Sequence, residues 1–354
     1  MAGEKGKAER KSSIKDVAEL AGVSASTVSY AISGRRPISA EKKQCITEAM
    51  QKLHYQPNAI ARSLASKRTH IIALLFPPVE HGIGISETEL IIQAARSATA
   101  QGYHLVIWTL QTDEEAELLR LIQQELVDGV ILMEVHTADR RIGILKRFGI
   151  PFILMGRDAE IPAEPFIDID FFATMMQCIS YLKGLGHRHL VFINQSKQSY
   201  CSGYGPVVRV HEAFAYLCRN FDMDGTELFC DSNPIQTCAV TEAFLADHSA
   251  TSAFVVMNDK ALPGLIRGVE KRGLRIPEDI SIVSIVSSEG AAAFFLPQIT
   301  TFEMDIHALM DAVITQLTAR LDGRYAELTR RLFPCILRER QSIAAVKAAP
   351  FPRE

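Results

Sequence analysis

The densest chemistry in this chain lies in one seven-residue run, Ser24-Ala25-Ser26-Thr27-Val28-Ser29-Tyr30. Ser24, Ser26, Thr27, Ser29 and Tyr30 each carry a hydroxyl that both donates and accepts. Such groups can satisfy free N–H groups at a helix start, bind phosphate oxygens, or meet the polar edge of a base. Reaction chemistry finds no comparable support. Neither G-x-x-x-x-G-K-[ST] nor G-x-G-x-x-G follows a strand, and G-x-S-x-G and H-E-x-x-H do not occur. His187 and His189 flank Arg188 in GLGHRHL, where the spacing suits a helix-to-strand turn better than a metal site. The seven cysteines are scattered, with no C-x-x-C, so most read as small core residues in a reducing compartment. No catalytic group, metal or cofactor is expected.

The hydroxyl run needs elements to hold it, and the flanking pattern supplies them. IKDVAEL predicts a short helix over 14–20, with Val17, Ala18 and Leu20 on its buried face. Gly22 suits the left-handed position that ends a helix, and Val23 fills the corner. Ser24 is placed to cap a second helix from Ala25 to about Ile32. Val28, Ala31 and Ile32 then face inward, leaving Ala25, Ser26, Ser29 and Tyr30 on or near the outer face. Ser39 caps a third helix carrying Ile46, Ala49, Met50 and Leu53 at helical spacing. Two short helices joined by a tight turn fit the major groove of double-stranded DNA. Charge agrees: residues 1–70 hold thirteen Lys+Arg and six Asp+Glu, a net +7, within a chain of net −3. A basic segment ahead of an acidic remainder points to a polyanionic partner, although a merely solvated basic arm has the same signature.

At 354 residues, two or three domains are expected. From Thr69 onward, apolar strand runs alternate with helical patterns: IIALLF, HLVIWTL, GVILMEV and PFILMG form one series. FIDIDF, LVFIN, ELFC, AFVVMN and SIVSIV form a second. Repeated βα units imply α/β architecture with parallel sheets, and two series imply two lobes with a cleft between them. Ligands bind at the carboxyl ends of such strands. Arg157, after PFILMG, stands at one such end, where a surface ion pair is an equal reading. Trp108 is expected within its strand's packing. Asp259 is placed to cap the helix that follows it. The first thirteen residues are polar and charged, and no apolar run reaches the roughly 18 residues of a membrane span. A cytoplasmic protein is expected.

The ordering DVAELAGVSASTVS, PISAEKKQCITEAMQKLHYQPN and ARSLASKRT, with RGVEKRGLRIPEDISIV further on, resembles the LacI/GalR family of bacterial transcription regulators. The likeness runs from Ile14 to about Ser342. It implies a flexible arm (1–13), a helix-turn-helix domain (14–56), a hinge helix (57–69), a two-lobed effector-binding and dimerisation domain (70–342) and a flexible tail (343–354). The large domain would have the periplasmic-binding-protein-like fold, with three crossings between lobes and a return to the first lobe from about Ile299. By the same resemblance, Ala25, Ser26 and Tyr30 face bases. Ser24, Thr27 and Ser29 face phosphates or cap the helix, and Ser29 serves equally as a plain surface hydroxyl. Tyr30 replaces the commoner Arg, which would grip guanine with two hydrogen bonds. Asn58, Arg62, Leu64 and Ala65 complete the DNA-contacting set, Leu64 as a minor-groove wedge. An ordinary linker in which Leu64 merely packs is the alternative.

The resemblance also implies an effector set of His81, Arg157, Arg209, Asn258 and Ser287. The spacing from Arg209 to Phe214 is one residue longer than is usual. Where the family shows Gly-aromatic-Asp after ISIV, this chain has Ser284-Ile285-Val286, then Ser287 and Ser288, so a strong carboxylate partner is missing there. The implied function is a homodimeric repressor on a pseudo-palindromic operator, controlled by a small-molecule effector, a sugar inducer in the usual case. The alternatives are a co-repressor-dependent, purine-type regulator, one needing a phosphoprotein partner, a cleft that binds nothing, and a transport binding protein. The last would need a leader and no basic DNA reader.

Overall fold

The computed structural model describes residues 12–33, 36–55, 68–76, 83–110, 114–257 and 259–346. The chain divides into two compact units, Met1–Ile71 with Glu125–Asp128, and the remainder.

The first unit contains α1 (Ile14–Leu20), α2 (Ala25–Ser33) and α3 (Ala40–Lys52). Ser13 caps α1 in a reciprocal box: its Oγ accepts from the Asp16 N–H, and its own N–H donates to Asp16 Oδ2 at 2.7 Å. Gly22 has φ +65°, the left-handed geometry that closes α1. Val17, Ala18, Val28, Ile46 and Ala49 form the core, with Val23, Ala31, Ile32, Met50 and Leu53 packed around it. Leu20, expected inside, is 50% exposed. The inward stripe of α1 ends at Ala21, which joins the core in its place.

The second unit is a pair of α/β lobes. Its strands are β1 (Ile71–Phe76), β2 (His104–Thr109), β3 (Gly129–Leu132), β4 (Phe152–Met155), β5 (Phe166–Ile169), β6 (His189–Asn194), β7 (Asp224–Phe229), β8 (Ala253–Val256), β9 (Ser281–Ser287), β10 (Thr300–Glu303), β11 (Arg330–Phe333) and β12 (Ile336–Arg338). Among the described residues they form two six-stranded sheets, ordered β11-β5-β4-β3-β1-β2 and β12-β10-β9-β8-β6-β7. The registered pairs are parallel apart from the antiparallel β10–β12. The helices are α4 (Ile85–Ala100), α5 (Glu114–Gln123), α6 (Arg140–Arg147), α7 (Phe171–Gly184), α8 (Lys197–Cys201), α9 (Gly205–Phe221), α10 (Pro234–Asp247), α11 (Leu262–Lys271), α12 (Glu289–Ala293) and α13 (Ile306–Leu321). In the second lobe, α7 and α9 cover one sheet face through Met175, Ile179, Phe214 and Leu217. Leu262, Leu265 and Val269 of α11 cover the other.

Two details of the expected topology are corrected. FIDIDF does not open the second series: its strand, β5, pairs with β4 and completes the first sheet. The return to the first lobe also falls later than Ile299. β10 still pairs with β9, and it is α13 that packs on the first sheet through Leu309, Val313 and Leu317. An apolar strand fits either core, so pattern alone did not assign β5. The crossings are β5 to α7, β10 to α13, and β11 to β12, three among the described residues, as expected. Trp108 is buried. Five cysteines are buried and two, Cys45 and Cys201, are exposed, and none of the seven forms a disulfide. His187 is buried between Ser252 Oγ, at 2.9 Å, and the Ala344 carbonyl, at 3.1 Å, a structural role.

Candidate nucleic-acid interface and ligand cavity

In the helix pair, Ser24 does cap α2: its Oγ accepts from the Thr27 N–H at 3.1 Å. The same oxygen lies 2.9 Å from Ser26 Oγ and 2.8 Å from Thr27 Oγ1. Three hydroxyls therefore gather at the amino end of α2, where free N–H groups and the helix dipole favour an anion. Ser24 and Ser26 are exposed, while Thr27, Ser29 and Tyr30 are half-buried. Ala25 is also half-buried and packs against the three-helix core, so less of it faces outward than expected. The Arg36 guanidinium lies 5.1 Å from the centre of the Tyr30 ring. Sequence reasoning missed Arg36. A cation six residues from an aromatic on a helix that ends between them was the available signal. Asn58, Arg62, Leu64 and Ala65 lie outside the described residues.

In the two-lobed unit, the carboxyl ends of both sheets converge on a cavity of about 390 Å³. This is the size and position expected for a small-molecule site. Met133, Glu134 and His136 follow β3, Met155 ends β4, Asp168 is next to last in β5, and Glu87 comes from α4. From the second lobe come Gln195, Ser196 and Ser199 after β6, Asp259 and Lys260 after β8, and Val286 on β9. Side-chain and backbone bonds join the lobes at its margins. Ser86 Oγ donates to Asp259 Oδ2 at 3.0 Å, and Lys260 Nζ pairs with Glu87 Oε1 at 3.0 Å. Opposite them, the Thr137 N–H donates to the Gly203 carbonyl and the Gly205 N–H to the Val135 carbonyl. Asp259 therefore reaches across the cleft, and no side chain caps α11.

The electrostatics come from burial. Glu134 has its carboxyl pushed up to about 7 by burial and then by Glu87, against the opposing pull of Arg141 and Lys260. Among the described residues none donates a hydrogen bond to its side chain. Its backbone is held at φ +50°, outside the usual range for a glutamate, by Arg141, whose Nη2 donates to the Met133 and Glu134 carbonyls at 3.1 and 3.0 Å. Asp168 is 5% exposed, and burial raises it to about 6 in spite of Arg209 and Arg157. Burial, then Glu87, also raises Asp259.

The expected effector residues fall differently. Arg157 Nε lies 3.1 Å and Arg209 Nη1 3.6 Å from Asp168 Oδ2, and Arg209 also donates to the Arg157 carbonyl. Both arginines line an outer hollow with Phe172 and Tyr216 rather than the cavity, because a buried carboxylate draws the nearest cations to itself. Ser287 is buried with an unbonded Oγ and does not line the cavity. The register of β9 against β10 skips Val286, which takes φ +56°. This bulge aims Val286 at the cavity and turns Ser287 away. His81 and Asn258 lie outside the described residues. Glu134, Asp168 and Glu87 were missed. The available signal was position: Glu134 directly follows the GVILM run, where a parallel strand ends.

Comparison with known proteins agrees with this architecture. Residues 13–58 match the model of the bacterial regulatory proteins of the lacI family, and residues 179–343 match the periplasmic binding protein-like domain. The chain is 28% identical over 320 residues to the HTH-type transcriptional repressor PurR of Pasteurella multocida, covering 89% of this chain and 93% of that one. It is 26% identical over 334 residues to catabolite control protein A of Priestia megaterium, covering 90% and 97%. The fold is similar to that of the lac repressor dimer bound to operator and the anti-inducer ONPF, with TM-score 0.76 and 20% identity over 95% of this chain and all of that one. It is also similar to the transcriptional regulator CelR in complex with cellobiose, with TM-score 0.69 and 22% identity over 94% and 99%. The capped helix pair thus carries the DNA-binding domain of the lacI family of bacterial regulatory proteins, and the lobes that follow it carry a periplasmic binding protein-like domain.

Proposed function

We propose that this protein is a bacterial, cytoplasmic transcriptional repressor, not an enzyme, which binds a pseudo-palindromic operator as a homodimer and responds to a small molecule in the cavity between its lobes. The observation that carries the reading is the joint presence of two things: a helix pair with its hydroxyls gathered at the amino end of α2, and a cavity at the carboxyl ends of two mainly parallel sheets. The first is suited to phosphates and base edges, the second to a ligand of small-molecule size. Ser26 and Tyr30 supply base contacts, Ser24, Thr27 and Ser29 supply register, and Leu64 wedges the minor groove with Asn58, Arg62 and Ala65 around it. A ligand acts by its different affinity for two lobe arrangements. Sugars are the favoured class, since similar proteins are recorded with cellobiose and with ribose.

The homodimer has support on the surface of the large unit. Phe294 and Leu296 are 80% and 86% exposed, just beyond α12. α12 lies against α4, close enough that a Cβ on Gly290 would come within 3.1 Å of Ile85 Cγ2, and Ile85 and Ile92 are themselves exposed on α4. An apolar edge shared by both lobes suits a second copy of the chain.

The test is selection of duplexes from a randomised pool by the full-length protein, followed by competition with sugars. Enrichment of an inverted repeat, with at least one sugar that releases it, supports the reading. Retention of duplexes without any shared sequence overturns it.

A further inference from the structure

The cavity is unevenly charged in a way that its own side chains leave unresolved. Among the described residues, four carboxyl groups line it, on Glu87, Glu134, Asp168 and Asp259, against the single ammonium of Lys260. Arg157 and Arg209 back Asp168 from outside, and Lys260 is spoken for by Glu87. The charge of Lys260 reaches both Glu134 and Asp259, and that of Arg141 reaches Glu134, but among the described residues no ion pair joins either carboxyl to a cation. Among the described residues Glu87 Oε2 is enclosed with no hydrogen-bond donor, and Oδ2 of the buried Asp168 is met only by the two arginines behind it. No described residue donates to the Glu134 carboxyl. A half-buried carboxylate without a partner gives up part of its hydration, a cost that a proton or a cation offsets.

The other walls indicate the rest of the ligand. Gln195, Ser196, Ser199 and Ser202 give one side a run of amide and hydroxyl groups. Met133, Met155, Phe171 and Met257 give apolar faces on which a ring can lie. We infer that the cavity takes an amino sugar, its ammonium group held by Glu134 and its hydroxyls by the Gln195–Ser202 wall. The inference rests on the reading of this cavity as the effector site and narrows it from sugars to their amine-bearing members. A neutral sugar would satisfy the hydroxyl wall but bring Glu134 no cation. An acidic one would add a fifth carboxylate. Burial holds much of Glu134 protonated near neutrality, and an ammonium ligand draws it into the ionised form.

The experiment measures melting of the full-length protein at pH 7 with glucosamine, galactosamine and mannosamine, each against its parent sugar, in the natural chain and in Glu134→Gln. At least one amine is expected to raise Tm by about 2 °C or more beyond its parent. Glu134→Gln is expected to abolish that difference, and a cooperative melting transition without sugar shows the variant folded. Equal stabilisation by amine and parent overturns the amine assignment while leaving the cavity an effector site. An advantage that survives in Glu134→Gln overturns the role of Glu134. If no sugar of either kind moves Tm, the inference falls, and the DNA-binding reading is judged separately by the duplex selection.

Discussion

Two residues, one in each unit, show how a side chain's surroundings set what it can do. Tyr30 offers a single hydroxyl and a ring covered by the Arg36 guanidinium. Replacing it by Arg substitutes a two-pronged donor suited to guanine. Tyr30→Arg is expected to shift base preference at one position per half-site, by about 1–3 kcal/mol of discrimination, measured by selection on randomised operators. A uniform loss across all sequences would show that Tyr30 contacts phosphate or only packs. Glu134 illustrates the opposite case, a group defined by burial. The folded chain keeps its proton up to about pH 7, while the unfolded chain releases it near 4.5. Its contribution to stability is therefore full below pH 4.5 and is lost as pH rises from there to about 7. The charged or titratable groups around it are Glu87, Lys260, Arg141, His136, Tyr204, Asp168 and Asp259. Against that shared background, Glu134→Gln should match the natural chain in urea unfolding at pH 4.5 and exceed it at pH 8. A constant difference across that range would exclude the proton uptake assigned to Glu134.

At the scale of elements, the loop between β3 and α6 determines the shape of the cavity. Arg141 is 4% exposed, and its guanidinium bonds both oxygens of Asp139, at 2.9 and 2.6 Å, together with the Met133 and Glu134 carbonyls. Burial alone would raise Asp139, but the Arg141 bond and charge bring it below its ordinary value. Asp139 in turn caps α6 by accepting from the Arg141 N–H at 3.0 Å. Arg141→Met would leave that carboxylate buried without its cation and would free the strained Glu134 backbone. A loss of about 3–5 kcal/mol is expected from chemical denaturation, with a sugar-induced Tm shift reduced beyond what the stability loss explains. The bulge at Val286 is the second device at this scale. A β-branched residue in the left-handed region costs on the order of 1–3 kcal/mol, and it persists here because the β9–β10 pairing on either side demands it.

For the whole molecule, the two lobes are joined by three crossings, so the cavity can open only by bending at those strands or breaking the bonds at its margins. The exposed Phe294 and Leu296 lie at that level of organisation, since an apolar edge that spans both lobes has value only to a partner that touches both. In the proposed homodimer, Phe294→Asp is expected to shift the protein from dimer to monomer in sedimentation at micromolar concentration. Operator affinity should fall at least tenfold, because two half-sites are no longer bound together. Unchanged sedimentation would move the dimer interface elsewhere.

Local pattern was enough for the helix pair and for most strands. Caps, left-handed glycines and apolar periodicity act within a few residues, so Ser24, Gly22 and the boundaries of α1 and β1 could be read directly. The lobe to which β5 and β10 belong was not legible, because an apolar strand satisfies any sheet core and its neighbours are chosen by distant chain. The effector residues were the least legible. Whether Arg209 meets a ligand or Asp168, and whether Val286 or Ser287 faces the cavity, depends on a buried charge and a one-residue register shift. Desolvation and pairing register are set by residues far apart in sequence, so the hydroxyls of the DNA reader belong to the sequence, and the unpaired carboxyl of Glu134 belongs to the tertiary structure.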